Sequence, residues 1–326
     1  MQFLFPLLLL GAAGIQAYPS TELPSFVRRA SNKAKAGKGS ECPKVWSKIS
    51  KDLTKSFVSG DQCTDLARGA IRYAFHDAAT FSTKLPNVPP ASGGADGSLL
   101  LNAGEIGRND NRGLQNYHSF ITGKYAEYQS DEVGAADLIQ FAGNHAVVSC
   151  PGGPTVMTLI GREDSSTASP EGLLPAGFGK GADHDTLFQL FSDKGFSAVD
   201  LAALIGAHTA SKSTAPQLPP GTSQDSTPGT WDVKYFSETY KPPSGVARFE
   251  SDINLSSPNT TVGKEFQSFV DNQGKWNGNF ASAMFRLGLL GIPPETYNNF
   301  VDCTSALPRT TQKRNVMGAP INFRFR

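Results

Sequence analysis

Arg72 and His76 are the residues whose types and spacing most clearly allow chemistry. They are four positions apart within residues 65–79, where apolar residues recur with a helical period, so their side chains share one face of a predicted helix. A permanent cation beside an imidazole that can accept and return a proton is a catalytic pairing. The alternative is a buried amphipathic helix in which the arginine pairs with an acid and the histidine is merely hydrogen-bonded.

A second histidine, His208, ends a predicted helix over residues 197–208 that is almost entirely apolar. Ser197 and Asp200 resemble a capping box at its start. A helix of this composition must be buried. A histidine at its end then needs a partner for each ring nitrogen, or a metal ion.

Two polar loops have the oxygen spacing of hard-cation sites. Residues 94–98 read Gly-Ala-Asp-Gly-Ser, and residues 225–232 begin and end with aspartate. Calcium takes six to eight oxygen ligands, so one short loop needs partners from elsewhere, and Asp77 is the natural candidate for residues 94–98. Taken alone, however, residues 94–98 are more often an ordinary turn.

The N-terminal part of the chain predicts export. Residues 1–17 are apolar and end in small residues, as in a signal peptide cleaved near Ala17, although the usual basic residue is missing. Residues 18–41, around Arg28 and Arg29, are either a flexible leader or propeptide trimmed after that pair, or an unprocessed charged tail. No later stretch is apolar for long enough to cross a membrane. A formal net charge of +1 gives no argument for nucleic-acid or membrane binding.

The chain has four cysteines: Cys42, Cys63, Cys150 and Cys303. An even number in an exported chain predicts two disulfides, and the residues alone leave three connectivities open. The spacings match no compact zinc site. Asn254 and Asn259 each begin an N-glycosylation motif, which predicts that this segment lies on the surface.

Helical periodicity dominates the rest of the chain. Further helices are predicted over residues 131–148, 183–194, 262–273 and 278–290. Residues 80–95 form a connector rich in Pro, Gly and Ser, and residues 248–252 are predicted to be extended. His145, near the end of the helix over 131–148, is interpreted as a satisfied or solvated histidine rather than as a ligand. With few alternating runs and no internal repeat, the predicted class is mainly α.

Five short motifs follow one another along the chain. They are Arg72-x-x-Phe75-His76-Asp77, Gly94-Ala-Asp-Gly-Ser98, Gly206-Ala-His208, the loop over residues 225–232 and the Ser251-Asp252 step. In this order they resemble the motifs of the secreted fungal haem peroxidases of class II, the group of the lignin and manganese peroxidases. Each motif is weak alone, but five in order are specific. The resemblance implies a haem peroxidase domain over residues 42–308, followed by a polar C-terminal tail over residues 309–326.

The resemblance implies an all-helical, two-lobed fold with haem b between a distal helix carrying His76 and a proximal helix carrying His208. His208 would be the axial ligand of the iron, Asp252 would bind its other ring nitrogen, and Phe75 would line the distal pocket. A monomer that acts on hydrogen peroxide and small aromatic or phenolic reductants is implied as well.

Catalytic roles follow from the same resemblance. His76 would move a proton between the two peroxide oxygens, and Arg72 would stabilise the negative charge that develops as their bond breaks. Asn111 would accept a hydrogen bond from His76 and leave its other nitrogen able to act as a base. Glu105 would belong to the network behind it.

Two calcium ions and two disulfides are further implications of the resemblance. The distal ion would take Asp77, Gly94, Asp96 and Ser98. The proximal ion would take Thr209, Asp225, Thr227, Thr230 and Asp232. The disulfides would be Cys63–Cys150 and Cys42–Cys303. Because each ion would tie a histidine-bearing helix to a loop, loss of calcium would disorder the haem site.

Several positions depart from the pattern of that family. Manganese-oxidising members use three carboxylates near a haem propionate. Here the positions one and two turns before the distal arginine are Gly69 and Asp65, and the loop after His208 offers no acid. Lignin-oxidising members have a surface tryptophan five residues before the proximal histidine, where this chain has Ala203. Gln224 stands where the family usually has phenylalanine.

The resulting prediction is an exported haem peroxidase that oxidises small phenolic or similar donors by one-electron steps at the haem edge. Oxidation through Trp46, Trp231, Trp276 or an exposed tyrosine stays open, although most such aromatic residues belong to cores. One alternative is a manganese-dependent peroxidase. Another is a secreted calcium-binding protein that has lost haem chemistry, and the joint presence of all five expected haem-site polar residues argues against it.

Overall fold

The computed structural model describes residues 41–85 and 93–309, which belong to one compact unit. The predicted signal peptide (1–17) lies outside these residues. So do the predicted leader over 18–41, apart from Glu41, and the predicted tail over 309–326, apart from Arg309. None of the helices in the described ranges is long and apolar enough to cross a membrane.

Helices make up most of the described chain, which confirms the mainly α prediction. The α-helices are α1 (Lys44–Phe57), α2 (Asp65–Ala78), α3 (Ser98–Leu101), α4 (Gln115–Tyr128), α5 (Ala135–Ser149), α6 (His184–Ser192), α7 (Ala198–Ile205), α8 (Lys234–Tyr240), α9 (Glu250–Leu255), α10 (Thr261–Ser268) and α11 (Gln273–Leu287). Turns of 3₁₀ helix occur at Glu105–Gly107, Asn109–Asn111, Gln129–Asp131, Gly206–Ala210, Pro294–Asn299 and Thr304–Ala306. Two short antiparallel strand pairs join β1 (Val58–Ser59) to β2 (Gln62–Cys63) and β3 (Leu159–Ile160) to β4 (Val301–Asp302).

α2 begins at a cap and packs on an internal helix. The Thr64 hydroxyl accepts a hydrogen bond from the amide of Ala67 (3.3 Å), which satisfies one of the free donors at the helix start. The buried face of α2 packs against α5, whose residues are all buried. Gly143 of α5 permits this close approach, because a Cβ there would lie 2.5 Å from the Cβ of Ala74. The helix that carries Arg72 and His76 is therefore seated firmly on the core.

α7 is the centre of a second group of helices, since both α10 and α11 pack against it. The predicted capping box is formed: Ser197 Oγ accepts from the amide of Asp200 (3.4 Å), and Asp200 Oδ2 accepts from the amide of Ser197 (2.9 Å). Arg286 of α11 pairs with the same carboxylate. The start of α7, the helix that leads to His208, is therefore held both by its own capping box and by the ion pair to α11.

Both disulfides implied by the resemblance are formed in the structure. Cys63–Cys150 ties the end of β2 to the residue after α5. Cys42–Cys303 joins positions 261 residues apart and so links the two ends of the described chain.

The prediction that residues 248–252 are extended was wrong, because α9 begins at Glu250. Asp252 Oδ2 accepts from the amide of Phe249 (3.3 Å), so an acid in the first turn caps the helix. Six residues are too few for a helical period to be read from sequence.

Other helix ends differ from the predictions. α5 begins at Ala135 rather than 131, because Glu132 has a φ of 62° and interrupts the chain after a 3₁₀ turn. The helices expected over 262–273 and 278–290 are α10 and α11, which are separated near Asp271, with a φ of 54°. The α-helix expected over 197–208 ends at Ile205, so His208 lies in the following 3₁₀ turn.

Candidate active site

α2 brings Arg72 and His76 into direct contact. Arg72 Nε lies 3.1 Å from His76 Nε2, and His76 Nδ1 lies 2.8 Å from Asn111 Oδ1. A guanidinium can only donate, so Nε2 accepts and the proton of the neutral ring is assigned to Nδ1, which donates to Asn111. The network therefore selects the tautomer with a lone pair on Nε2.

Asn111 is itself held by the turn in which it lies. Its Nδ2 donates to the backbone carbonyl of Glu105 (2.7 Å), which leaves its Oδ1 to face the histidine. The Glu105 carboxylate accepts from both the amide and the hydroxyl of Ser169, each at 2.7 Å. Glu105 thus supports Asn111 through its carbonyl and anchors a neighbouring loop through its side chain.

The Arg72 guanidinium is fixed by carbonyl oxygens rather than by an acid. Nη1 donates to the carbonyl of Arg112 (2.8 Å) and Nη2 to that of Asp110 (3.1 Å). No ion pair joins it to an acid within residues 41–85 and 93–309, so the arginine–acid pair of the alternative interpretation is not formed there. Burial lowers the pKa of Arg72 to about 10. Because this value is still well above 7, the guanidinium is cationic at neutral pH.

His76 is buried as a neutral imidazole. Burial, and after it the nearby charge of Arg72, lowers the pKa of His76 to about 3. The hydrogen bond to Asn111 acts in the opposite direction and offsets only part of this shift. At neutral pH the site therefore combines a cation with an uncharged imidazole whose Nε2 can accept a proton.

His208 is oriented by a buried acid and two aromatic rings. Its Nδ1 donates to Asp252 Oδ1 (3.1 Å), and Asp252 is fully buried. The rings of Tyr235 and Phe249 meet the imidazole edge-on at 87°, with centroid distances of 5.8 and 5.3 Å. Nε2 forms no hydrogen bond to any described residue, so its lone pair is available to bind a metal ion.

The two histidines meet the chemical requirements of a haem site. A histidine that donates one N–H to a carboxylate and presents the other nitrogen is suited to hold haem iron. The loop after His208 reaches α2, because Thr214 Oγ1 lies 3.5 Å from Arg72 Nη1. Phe75 lies 5.8 Å from the ring of His76 and stacks on Phe191 of α6 at 6.1 Å. The hydrogen bonds of His208 thus suit a metal ligand and those of His76 suit a base, and the loop after His208 reaches the helix of His76.

The residues expected at the distal calcium site lie together. Asp77 accepts from the amides of Gly97 and Leu99, both at 3.3 Å, and Asp96 Oδ1 accepts from the amide of Ser98 (2.9 Å). The hydroxyl of Ser98 is buried and has no hydrogen-bond partner in the described chain. Burial and then the charge of Asp96 raise the pKa of Asp77.

An unpartnered hydroxyl beside the buried carboxylate of Asp77 and the half-buried carboxylate of Asp96 fits a hard cation. Gly94 belongs to the same loop, where its carbonyl accepts from the amide of Asp96 (2.8 Å).

The residues expected at the proximal calcium site are connected through hydrogen bonds. Thr209 Oγ1 donates to Asp225 Oδ2, and Thr227 Oγ1 donates to Asp232 Oδ2 (2.9 Å). The amide of Thr230 donates to the carbonyl of Thr227 (2.9 Å). Burial raises the pKa of Asp225 to about 7.

Across the described ranges, no group of three or more His, Cys, Asp or Glu side chains is arranged to hold a metal ion. A cation at either expected site would therefore take two carboxylates and complete its shell with hydroxyl and carbonyl oxygens, which calcium accepts.

The position that could serve manganese is already neutralised. Asp65 pairs with Arg68 (2.5 Å) and with Lys212 (3.2 Å). Gly69, one turn later, has no room for a longer side chain, because a Cβ there would lie 2.9 Å from the Cβ of Tyr117. To bind here, a manganese ion would have to displace the side chains of Arg68 and Lys212 from a single carboxylate.

The three tryptophans, Trp46, Trp231 and Trp276, are all buried. Trp231 and Trp276 stack with ring centroids 4.9 Å apart, and Trp276 Nε1 donates to the carbonyl of Ala203 (3.0 Å). Tyr240 is the tyrosine with an exposed ring among the described residues.

Sequence reasoning missed the parts of the site that are backbone groups or that belong to no motif. The carbonyls of Asp110 and Arg112 hold Arg72, and no side-chain pattern can reveal a carbonyl. Tyr235 and Phe249 pack on His208 without any motif. Gln224, which the sequence showed as a departure from the family pattern, is buried, and its side-chain oxygen accepts from the hydroxyl of Ser211.

Comparison with known proteins agrees with this geometry. The family model for peroxidases ("Peroxidase") matches residues 46–272. The chain is 31% identical to versatile peroxidase VPS1 of Pleurotus eryngii over 79% of this chain and 72% of that protein. It is 30% identical to ligninase LG6 of Phanerodontia chrysosporium, over 91% of this chain and 82% of that protein. It is 31% identical to manganese peroxidase 3 of Phlebia radiata, over 78% of this chain and 74% of that protein.

The chain therefore belongs to the peroxidase family, and within it to the class II fungal peroxidases. It is an oxidoreductase that acts on hydrogen peroxide, and its relatives imply haem as the cofactor. The relatives are named for different activities at nearly equal identity, so similarity alone does not identify the electron donor.

Proposed function

We propose that this protein is a secreted haem b peroxidase that oxidises small phenolic or similar donors by one-electron steps at the haem edge. The observation that carries the proposal is the pairing of two differently prepared histidines. His76 presents a basic Nε2 beside Arg72, and His208 presents a free Nε2 while Asp252 holds its other nitrogen.

Each residue has a defined part in this proposal. Haem, when bound, supplies an iron centre that exchanges oxidising equivalents with peroxide and with donors. His208 would hold the iron, and Asp252 would make the imidazole more electron-donating. His76 Nε2 would accept a proton from one peroxide oxygen and return it to the other, which leaves as water. Arg72 would stabilise the negative charge on the departing oxygen.

The ion pairs of Asp65 support small organic donors rather than manganese as the substrate. Its carboxylate already pairs with Arg68 and Lys212, and manganese prefers several carboxylate ligands. A manganese-dependent enzyme would show activity that rises sharply with Mn²⁺. We expect turnover of a phenol with peroxide to be unchanged when Mn²⁺ is added, and steady-state assays would measure this.

We also propose that two calcium ions stabilise the site. The distal ion would bind Asp77, Gly94, Asp96 and Ser98. The proximal ion would bind Thr209, Asp225, Thr227, Thr230 and Asp232. The unpartnered hydroxyl of Ser98, beside the buried carboxylate of Asp77 and the half-buried carboxylate of Asp96, supports the first site.

His76→Leu tests the proposed base. Loss of the base should slow the reaction with peroxide by at least about 10²–10⁴-fold while haem stays bound. Rapid mixing with peroxide would follow the change in the haem spectrum. His118→Leu is the control, because His118 lies on α4 and bonds to Tyr73 (2.8 Å) rather than to Arg72. A normal rate in His76→Leu would refute the assignment.

His208→Ala tests the proposed ligand and the non-catalytic alternative together. We expect weak or altered haem binding, seen as a changed Soret band. An unchanged haem spectrum in this variant would exclude His208 as the ligand. A purified wild-type protein that cannot bind haem would support the alternative of a calcium-binding protein without haem chemistry.

A further inference from the structure

A surface pocket of about 550 Å³ lies where the start of α6, the end of α8, α9 and the turn before α10 meet. Its walls include Asp183, Tyr240, Arg248, Ile253 and Asn254. None of the residues assigned to haem, peroxide or calcium lines it. Its volume is in the range of pockets that bind small molecules.

The apolar wall of this pocket is unusually exposed for this protein. Three large hydrophobic side chains are exposed in the described chain, and two of them, Tyr240 (41%) and Ile253 (43%), lie here. Tyr240 is held in place, because its hydroxyl donates to the carbonyl of Ser256 (2.8 Å) and its ring meets that of Phe266 at 5.8 Å. A fixed aromatic face beside an exposed aliphatic side chain is a surface on which a flat ring can pack.

Arg248 places an uncompensated cation at this wall. The guanidinium is half-buried, its Nη1 donates to the carbonyl of Thr239 (3.0 Å), and no ion pair joins it to an acid in the described ranges. Its other nitrogens are free to donate. A carboxylate is the partner that a guanidinium binds most strongly, through two parallel hydrogen bonds.

Hydrogen-bond acceptors also line the pocket. The exposed carboxylate of Asp183 accepts from the amide of Thr186 through Oδ1 (2.9 Å) and offers further acceptor positions to the pocket. Asn254 Nδ2 donates to the carbonyl of Ala182 (2.8 Å), which leaves Oδ1 as an acceptor. In the same wall, His184 Nε2 is buried without a hydrogen-bond partner. A ligand that fits should therefore carry a hydroxyl donor as well as an acid.

We propose that this pocket binds a small phenolic acid, that is, an aromatic ring with a carboxylate and a hydroxyl group. The carboxylate pairs with Arg248, the ring packs on Tyr240 and Ile253, and the hydroxyl donates to Asp183 or Asn254. The site is separate from the proposed haem site and needs no turnover.

Isothermal titration of the haem-loaded protein with 4-hydroxybenzoate, without peroxide, tests the proposal. We expect saturable binding that weakens at least tenfold for methyl 4-hydroxybenzoate, which lacks the negative charge, and less strongly for benzoate, which lacks the hydroxyl. Absence of binding at about 10 mM, near the weakest affinities worth calling specific, would overturn the proposal. Equal binding of the acid and its ester would overturn it too.

Three variants locate the ligand. Arg248→Gln should weaken binding of 4-hydroxybenzoate at least tenfold, whereas Lys264→Gln, which removes an exposed charge from α10 outside the pocket, should not. Ile253→Asp introduces a repelling charge at an exposed position and should weaken binding without unfolding the protein. Binding that is the same in wild type, Arg248→Gln and Ile253→Asp would place the ligand elsewhere and refute the site. Because peroxide is absent, this outcome is independent of whether the protein has peroxidase activity.

Discussion

Asn111 decides which nitrogen of His76 is available as a base. Its amide donates to the carbonyl of Glu105, so only its own carbonyl oxygen faces the histidine, and that oxygen requires a proton on Nδ1. The lone pair on Nε2 then lies beside the Arg72 guanidinium. At the scale of single residues, one amide orientation thus prepares the histidine for proton transfer.

His145 shows the opposite use of an imidazole, because both of its nitrogens are satisfied. Nε2–H donates to the carbonyl of Ser50 (2.9 Å), and Nδ1 accepts from the hydroxyl of Ser149 (3.1 Å). Burial lowers the pKa of His145 to about 4. The prediction of a satisfied histidine rather than a ligand is confirmed.

We expect His145 to make the protein less stable in mild acid. The unfolded chain takes up this proton near pH 6.5 and the folded protein only near pH 4. The stabilisation is therefore complete above about pH 6.5 and is lost as the pH falls from there towards 4. Between pH 7 and pH 5 this histidine should cost about 2 kcal/mol of unfolding free energy.

His145→Gln tests this prediction, because glutamine keeps a donor for the Ser50 carbonyl but does not titrate. Urea unfolding at the two pH values should give a smaller pH dependence in the variant. Parallel pH profiles for wild type and variant would contradict the assignment.

At the scale of elements, α7 and its 3₁₀ turn determine the position of His208. Gly206 opens that turn in close contact with two aromatic residues: a Cβ there would lie 2.5 Å from Trp276 Nε1 and 2.7 Å from the ring of Phe236. The indole is in turn fixed to α7 by its hydrogen bond to Ala203. Only a residue without a side chain allows this packing, which seats the proposed ligand two positions later.

Gly206→Ala should therefore destabilise the protein by about 1–3 kcal/mol, as other overpacked cores do. Since the turn must shift, the Soret band of the haem-loaded protein should change as well. Gly278→Ala is the matched control, because it lies within α11 and nothing lies within 4 Å of its added Cβ. It should gain about 0.5–1 kcal/mol from the helix propensity of alanine. Equal stabilities of the two variants in urea unfolding would contradict this account.

At the scale of the whole molecule, cross-links hold the histidine-bearing elements in place. Cys63–Cys150 fastens the region just before α2 to the end of α5, and Cys42–Cys303 closes a loop of 261 residues. Asp77, at the end of α2, reaches the loop over residues 94–98 through backbone amides. The charge of Asp96 raises the pKa of the buried Asp77, so the two carboxylates would repel each other when both are ionised, and a cation between them would remove this repulsion.

Removal of the two proposed calcium ions should therefore loosen the proposed haem site. At a calcium concentration 100 times the dissociation constant, one bound ion contributes about 2.7 kcal/mol, or about 5–10 °C in melting temperature. Differential scanning calorimetry with calcium and with EDTA would measure this shift, and the Soret band should weaken in EDTA. Asp96→Asn should reduce the shift, whereas Asp61→Asn, at an exposed turn, should not. Identical melting in calcium and EDTA would exclude both proposed sites.

The two glycosylation motifs differ in their surroundings. Asn254 lies in α9 with its amide committed to the carbonyl of Ala182 (2.8 Å), whereas Asn259 is exposed in the turn before α10. We expect a glycan on Asn259 alone when the protein is secreted from a eukaryotic host. Intact-mass measurement should show loss of one glycan in Asn259→Gln and no change in Asn254→Gln. A loss of glycan mass in Asn254→Gln would refute the prediction.

The sequence by itself determined several features that depend on neighbours within a few positions. The Ser197–Asp200 capping box and the shared helical face of Arg72 and His76 both follow from short-range spacing. The order of five short motifs was enough to recognise the peroxidase family. The short α9 helix escaped prediction because a single turn and a half has no period to detect.

Only the tertiary structure decided how distant residues meet. Asn111 orients His76 across 35 positions and Asp252 holds His208 across 44, contacts that the family resemblance implied but that spacing alone could not give. Lys212 neutralises Asp65 from the loop beyond the second histidine, which nothing in the sequence indicated. The burial of all three tryptophans and the pocket around Arg248 are equally products of packing. Hydrogen-bond direction, desolvation and charge compensation depend on the atoms that surround a group in space, and one-dimensional spacing does not contain that information.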